Sequence, residues 1–368
     1  MKFAVTEYHS KTGRIWTHTP ERPNYICDPI KEIDPTSFGC YVSAMQGEHI
    51  PLTSFIVGEN ANKSLPTVLF RKVYKRLKGS WPTGYDISYF KKFDALLVVH
   101  QISDAHEIAT FTQRLRSTFP HIKIIGVPTQ PFGLLTDFWE KHPDQKQVFI
   151  DYATACHHFV TVVESTLPYW QKVSPVPVSY LPQPYPVQYA TRHWKSLQEK
   201  RPIIFVAGVT GRPNIIRGHK IAAELQKKFP DHLIHVTNID DEELDTTYLA
   251  GSQFKVVNFL PWQQHLDYLS QIKVVINTDY TQTRGRVQVD CAAVGTPSLG
   301  ADSDGQVDLF PLLPASQEST DQQLLLQAKR LLKEKDFYSK VATVAKNRLQ
   351  KYNYEASAKR ITSLFQSV

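Results

Sequence analysis

The chain has 368 residues, of which 42% are hydrophobic and 21% charged, and its 42 Lys and Arg against 35 Asp and Glu give a formal charge of +7. That length exceeds what one hydrophobic core usually holds, so two domains or one large α/β unit are expected, and the composition excludes a disordered or low-complexity chain. Four cysteines, Cys27, Cys40, Cys156 and Cys291, form no C-x-x-C pair, which argues against a disulfide framework or a zinc cage. Polar residues follow MKFAV at once and no run is long enough to span a bilayer, so a soluble, cytoplasmic protein with anionic partners is expected.

In chain order, the first candidate strand is KFAVT (2–6). TVLFRKVYKRLKGSW (67–81) follows as a basic amphipathic helix, with Leu69, Phe70, Val73, Tyr74 and Leu77 on one face and Arg71, Lys72, Lys75, Arg76 and Lys78 on the other. Such a helix either packs on its own domain with a solvated basic side or docks peripherally on an anionic membrane. No nucleic-acid module accompanies it, so no nucleic-acid partner is expected. The strands DALLVVH (94–100), IKIIGV (122–127), FVTVV (159–163) and VSYL (178–181) come next, with helices between them. One of these helices starts after Ser103 as N-cap and carries Ile108, Phe111, Leu115 and Phe119 at helical spacing until Pro120.

From 175 to 202 the chain turns proline-rich and ends in a charged stretch that reads as solvated, which marks a domain boundary. A second α/β series follows: PIIFVAG (202–208), LIHV (233–236), FKVVNFL (254–260), VVIN (274–277) and PSLG (297–300). After Thr320 a helical stripe of Leu324, Leu325, Ala328, Leu331 and Leu332 appears, and the final segment repeats the pattern with Ala356, Ile361, Leu364 and Phe365. The pattern predicts two doubly wound Rossmann-like domains, 1–190 and 200–348, facing a cleft, with a helix over 349–368 crossing back to the first domain.

Ligands of open α/β sheets bind beyond the carboxyl ends of the strands, so the loops after strands carry the candidate chemistry. In GVTGRPNIIRGHK (208–220), Gly208 and Gly211 make a strand-to-helix turn, and Arg212 and Arg217 bracket it. A turn entering a helix N-terminus presents free N–H groups, and guanidinium forks match phosphate oxygens, so this loop is a candidate phosphate site. The dinucleotide fingerprint G-x-G-x-x-G is missing. In TQTRGRVQVDCAAVGTPSLGA (281–301), Arg284, Gly285 and Arg286 precede Asp290, an acid that either compensates a helix dipole or contacts a polar ligand.

These segments resemble the GT-B glycosyltransferases, especially the retaining, nucleotide-sugar-dependent enzymes of the family 4 type. VDCAAVGTPSLG is similar to that family's "LEAMACGTPVV", and GRPNIIRG is similar to its "GRLVPEKG" phosphate loop, with the same spacing between the two basic residues. The likeness runs through FLPWQQHLDYLSQIKVVINTD and covers roughly residues 94 to 310 plus a C-terminal helix. By position it implies that Arg212 and Arg217 bind the donor diphosphate and that Asp290 stands for the second glutamate of the E-x7-E motif, which holds the ribose hydroxyls. Gln282 takes the place of the first glutamate, and Arg284 stands where the family usually has an aromatic.

His100 matches the histidine that faces the donor sugar from the first domain, although a strand-end histidine is also a common structural hydrogen-bonder. The family's first Gly-Gly loop is represented only by HSKTG, with Lys11 and Gly13 on the acceptor side. The resemblance implies a metal-independent transferase with a nucleotide-sugar co-substrate, no further cofactor, and a glycan, lipid-linked or protein acceptor. A nucleotide-sugar epimerase and a non-catalytic binding or scaffold subunit are the alternatives on the same fold. Asp302-Ser303-Asp304 spells D-x-D but falls in the donor-side loop, and Cys156, His157 and His158 are adjacent without spaced partners, so neither reads as a metal site.

Overall fold

In a computed structural model of the chain, the residues described are 1–7, 16–17, 38–52, 87–207, 212–237, 246–258, 260–279, 286–300, 305–313 and 319–368. The chain divides into two compact units, Met1–Tyr185 with Tyr354–Val368, and Pro186–Asn353.

The first unit is built on a seven-stranded sheet of β1 (Phe3–Glu7), β2 (Trp16–Thr17), β3 (Glu48–Pro51), β4 (Ala95–His100), β5 (Lys123–Pro128), β6 (His158–Thr161) and β7 (Val178–Tyr180), in the order β2-β3-β1-β4-β5-β6-β7. Only the edge strand β2 is antiparallel to its neighbour. Every residue of β4 is buried, as expected of a parallel strand covered on both faces. Alternate residues divide between two cores. Ala4, Leu96, Val98 and Ile124 pack with α2 (Ala105–Thr118) and α4 (Pro143–Ala155), while Phe3, Val5, Leu97, Val99 and Ile125 face α1 (Gly39–Met45) and the C-terminal helix. A one-turn 3-10 segment, Ile102–Asp104, precedes α2, so the N-cap is Asp104 and not the expected Ser103, whose hydroxyl donates to the Asp104 carboxylate at 2.5 Å. Between these helices' chain positions lies α3 (Phe132–Lys141), and α5 (Leu167–Val173) precedes β7.

β3 was not among the expected strands. EHIP has little strand propensity of its own, and its pairing with β1 from Ala4↔Glu48 to Glu7↔Pro51 supplies what local preference does not.

In the second unit β8 (Ile203–Val206), β9 (Leu233–Thr237), β10 (Phe254–Val257), β11 (Val274–Ile276) and β12 (Ser298–Leu299) form an all-parallel sheet in the order β10-β9-β8-β11-β12. The order reverses between β8 and β11, which makes their carboxyl ends the topological switch point. A one-turn helix, α6 (Val187–Ala190), interrupts the proline-rich stretch despite its composition. The connecting helices are α7 (Arg212–Lys228), α8 (Trp262–Ser270), α9 (Arg286–Val294), α10 (Gln306–Leu309), α11 (Asp321–Lys333) and α12 (Lys335–Leu349). Thr320 caps α11 reciprocally with Gln323, and Leu324, Ala328 and Leu331 of the expected stripe are its buried residues.

The charged stretch before β8 is not solvated throughout. Lys200 is buried, and its ammonium donates to the carbonyls of Ser270 and Val294 and to Thr296 Oγ1 at 2.9, 3.2 and 2.8 Å. A buried charge persists only where such partners exist, and the last carbonyls of α8 and α9 are groups a helix cannot satisfy by itself.

The C-terminal helix α13 (Tyr354–Ser367) packs with α1 in the first unit. Ile361 and Phe365 are buried there, Phe365 meets Phe3 edge-on at 5.8 Å, and Lys123 Nζ donates to the Phe365 carbonyl at 2.8 Å. Ser357 takes the fully buried place that the stripe gave to Ala356.

Candidate functional site

At the switch point of the second sheet the chain leaves β8 at Ala207, whose N–H donates to the Ile276 carbonyl at 2.9 Å, and the described part of α7 begins at Arg212. Two contacts fix the N-terminal half of α7 over the strand ends. Thr278, just past β11, donates its hydroxyl to the Asn214 carbonyl at 2.6 Å. Gly218 lies so close to the sheet that a Cβ there would stand 2.7 Å from Val206 Cγ1 and 3.1 Å from Thr278 Oγ1. Close approach of a helix to a strand end needs a residue without a side chain, and it brings the positive end of the helix dipole to the crevice.

Asn277, Thr278 and Asp279 are all buried where β11 ends, and the Asp279 N–H donates to Asn277 Oδ1 at 3.0 Å. Three successive buried polar residues beyond an apolar strand are held by hydrogen bonds such as these and put polar groups at the switch point. That run, NTD after VVI, was the readable signal, and residue-by-residue reading passed it over.

Arg217 lies in the second turn of α7. Its Nε donates to Asp321 Oδ1 at 2.6 Å and its guanidinium also donates to the Ser319 carbonyl, so it is held by the N-terminal end of α11. The backbone of Arg212 opens α7, whereas its side chain lies outside the described residues.

Asp290 is the fifth residue of α9 and is buried, so it is not in the first turn, where no acid stands; dipole compensation does not explain it. Its Oδ1 accepts the indole N–H of Trp262 at 2.9 Å, and Trp262 stacks on Tyr189 with centroids 5.5 Å apart. Trp262 opens α8 directly after Pro261, beyond the carboxyl end of β10. This arrangement places a carboxylate and a flat aromatic pair side by side, which suits a ribose and its base. His265, one turn along α8, is pushed down to about 4 by burial and by the Arg286 charge, so it is neutral at ordinary pH. Trp262 and Tyr189 were not singled out by sequence, because a tryptophan in a helix's first turn looks like any core residue until its N–H partner is known.

In the first unit, His100 ends β4 with 1% exposure, and among the described residues neither ring nitrogen has a hydrogen-bond partner. Its ring packs against Tyr152 and Phe149 at 5.1 and 5.4 Å, and burial pushes its pKa down to about 4. One strand over, the Thr6 hydroxyl is also buried without a partner among the described residues.

His157 accepts the Ile124 N–H at 3.1 Å and His158 bonds Ser179 Oγ at 2.9 Å, so these two serve the sheet. The Cys156 thiol is buried, donates to the Tyr152 carbonyl, and is pushed up to about 12 by burial. Lys11, Gly13, Gly208, Gly211, Gln282, Arg284, Gly285, the 302–304 triplet and the basic segment 67–81 lie outside the described residues. Among the described residues no helix is long and apolar enough to cross a membrane.

No protein-family model matches the chain, and no curated protein matches it in sequence. Solved structures do match. Sucrose-phosphate synthase from Thermosynechococcus elongatus superposes with a TM-score of 0.63 at 14% identity, over 100% of this chain and 98% of the other. The trehalose 6-phosphate synthase of Burkholderia multivorans gives 0.61 at 9% identity, over 100% and 98%. A TarM mutant of S. aureus, in complex with fondaparinux, alpha-GlcNAc-glycerol and UDP, gives 0.56 at 11% identity, over 76% and 58%. Two α/β sheets of this order, parallel but for the edge strand β2, with a C-terminal helix that joins the first unit, are the GT-B fold, which these glycosyltransferase structures share.

Proposed function

We propose that the protein is a glycosyltransferase that moves a sugar from a nucleotide-diphosphate donor to a glycan, lipid-linked or protein acceptor, with retention at the anomeric carbon and without a metal ion. The observation that carries this reading is the switch point of the second sheet, where Gly218 and the Thr278–Asn214 bond hold the N-terminal half of α7 against the strand ends. In that reading Asp290 accepts from the two ribose hydroxyls, Trp262 and Tyr189 border the base, and Arg212 and Arg217 meet the diphosphate. As the anomeric C–O bond to the diphosphate breaks, charge builds on the leaving oxygens, and oriented guanidinium groups stabilise it with little reorganisation. The acceptor oxygen forms the new bond to the anomeric carbon, and its proton leaves with the departing diphosphate. Neutral His100, whose ring nitrogens have no partner among the described residues, suits a sugar hydroxyl better than a phosphate.

The test is a thermal-shift panel of nucleoside diphosphates and their sugars, followed by assay of diphosphate release. A diphosphate at a hundred times its Kd should stabilise the native state by about 2.7 kcal/mol. Arg212→Ala and Arg217→Ala should each depress turnover far more than they lower the melting temperature. If no nucleotide shifts the melting temperature and no diphosphate is released, the assignment fails.

A second reading, a nucleotide-sugar binder without transfer activity, draws on the fact that Arg217 and Asp290 already have protein partners in Asp321 and Trp262. It would show the nucleotide-induced stabilisation without diphosphate release.

A further inference from the structure

Away from the switch point, α7, the 3-10 turn Thr247–Leu249 and α11 enclose a cavity of about 600 Å³. It is lined by α7 from Lys220 onward and by residues 250–253, which lead into β10, so it lies toward the amino ends of the strands and not the end where Asn277 and Thr278 sit. Its volume falls in the range of small-molecule sites, about 300–1,000 Å³.

Both wall carboxylates are already paired, Glu224 with Lys227 and Asp321 with Arg217, while Lys220 lies over the Tyr248 ring. The acids are therefore engaged as acceptors, and a neutral ligand asks for no new charge pairing. Tyr248 is 40% exposed at the rim, with Lys220 Nζ 4.6 Å from its ring centroid, and Leu325 adds an apolar patch. An aromatic plate surrounded by interleaved donors and acceptors matches a molecule whose hydroxyls both donate and accept and whose ring faces are C–H surfaces. That description fits a saccharide.

We propose that this cavity is a second saccharide-binding site, which holds a neutral oligosaccharide on the outer face of α7, separate from the candidate donor site. It does not depend on the transferase assignment: among the described residues no donor-site residue lines it, although its Asp321 is the ion-pair partner of Arg217.

Calorimetric titration with maltohexaose, cellohexaose and chitohexaose, with inorganic phosphate as the charged control, tests it on the full chain. At least one hexasaccharide should bind the parent protein. Tyr248→Ala should weaken that binding roughly tenfold or more, while Tyr248→Phe, which keeps the ring, should preserve it. Glu224→Ala should weaken it as well. Asp290→Ala should leave saccharide binding intact while altering the nucleotide response, so the two assignments fail separately. Binding by none of the three hexasaccharides, binding indifferent to Tyr248→Ala, or displacement of the sugar by phosphate would each overturn the proposal.

Discussion

Lys200 joins the two helices that carry the candidate donor residues, because its ammonium bonds the last carbonyls of α8 and α9, and Trp262 and Asp290 lie on those helices. Burial pushes its pKa from 10.5 down to about 7, and Lys195 lowers it further, while Cys291 and Glu199 pull it up. The folded value lies below the unfolded one, so below pH 7 the fold carries the full cost of a buried charge. Between pH 7 and 10.5 the unfolded chain holds more protons, and stability rises with pH by at most about 1.4 kcal/mol per pH unit, with a ceiling near 5 kcal/mol. The three acceptors favour the ammonium and restrain that rise.

Lys200→Met removes the titration and orphans one carbonyl, that of Ser270. Val294 keeps the Lys195 N–H at 3.2 Å, and the Thr296 hydroxyl still donates to Leu269 at 2.8 Å. The orphan costs about 1–3 kcal/mol, independent of pH. Urea unfolding of parent and variant from pH 7 to 10 should show the variant weaker by that amount at the alkaline end, with the gap closing toward neutrality and reversing where the parent's loss exceeds it. Groups common to both proteins cancel in the difference. A gap that stays constant across the window would show that the ammonium remains charged throughout, and the burial argument would be wrong.

Gly218→Ala should destabilise the second unit by about 1–3 kcal/mol and weaken nucleotide binding, because the new methyl meets Val206 and Thr278; thermal melts with and without nucleotide separate the two effects. His100→Phe should fit beside Phe149 and Tyr152 and raise stability by about 1 kcal/mol or more by removing two buried nitrogens that have no partner among the described residues, while turnover falls; an unchanged rate would remove His100 from the site. The same substitution should flatten acid destabilisation between pH 6.5 and about 4, since the parent's unfolded state takes up a proton there that the fold refuses. Trp262→Phe keeps the stacking on Tyr189 but removes one donor to Asp290, so it should weaken nucleoside diphosphate affinity by about tenfold and lower stability by about 1–3 kcal/mol; equal affinity would show that Asp290 does not need this partner.

Where chain-local forces dominate, the sequence was informative. The buried run ALLVVH announced β4, the spacing of Ile108, Phe111 and Leu115 announced α2, and Thr320 with Gln323 set the start of α11. What escaped notice depends on partners distant in the chain. β3 exists through its register with β1, and Lys200 reads as a solvated residue until the ends of two helices close around it. The site shows the same division. The glycine-and-arginine texture of the loop before α7 and the acid in α9 stood out, but the Trp262 N–H that meets that acid and the Asp321 that holds Arg217 lie 28 and 104 residues away. Spacing in a motif says nothing about such distances.

The chain leaves the first unit at Tyr185 and returns to it only at Tyr354, so the second unit is spliced into the first. During synthesis, therefore, the sheet face of Phe3, Val5, Leu97 and Val99 has α1 but waits for Ile361 and Phe365, which emerge only after the second unit. Part of that face stays uncovered while some 170 intervening residues are made, which exposes the amino-terminal half to misassociation and makes loss of α13 an injury to the beginning of the protein.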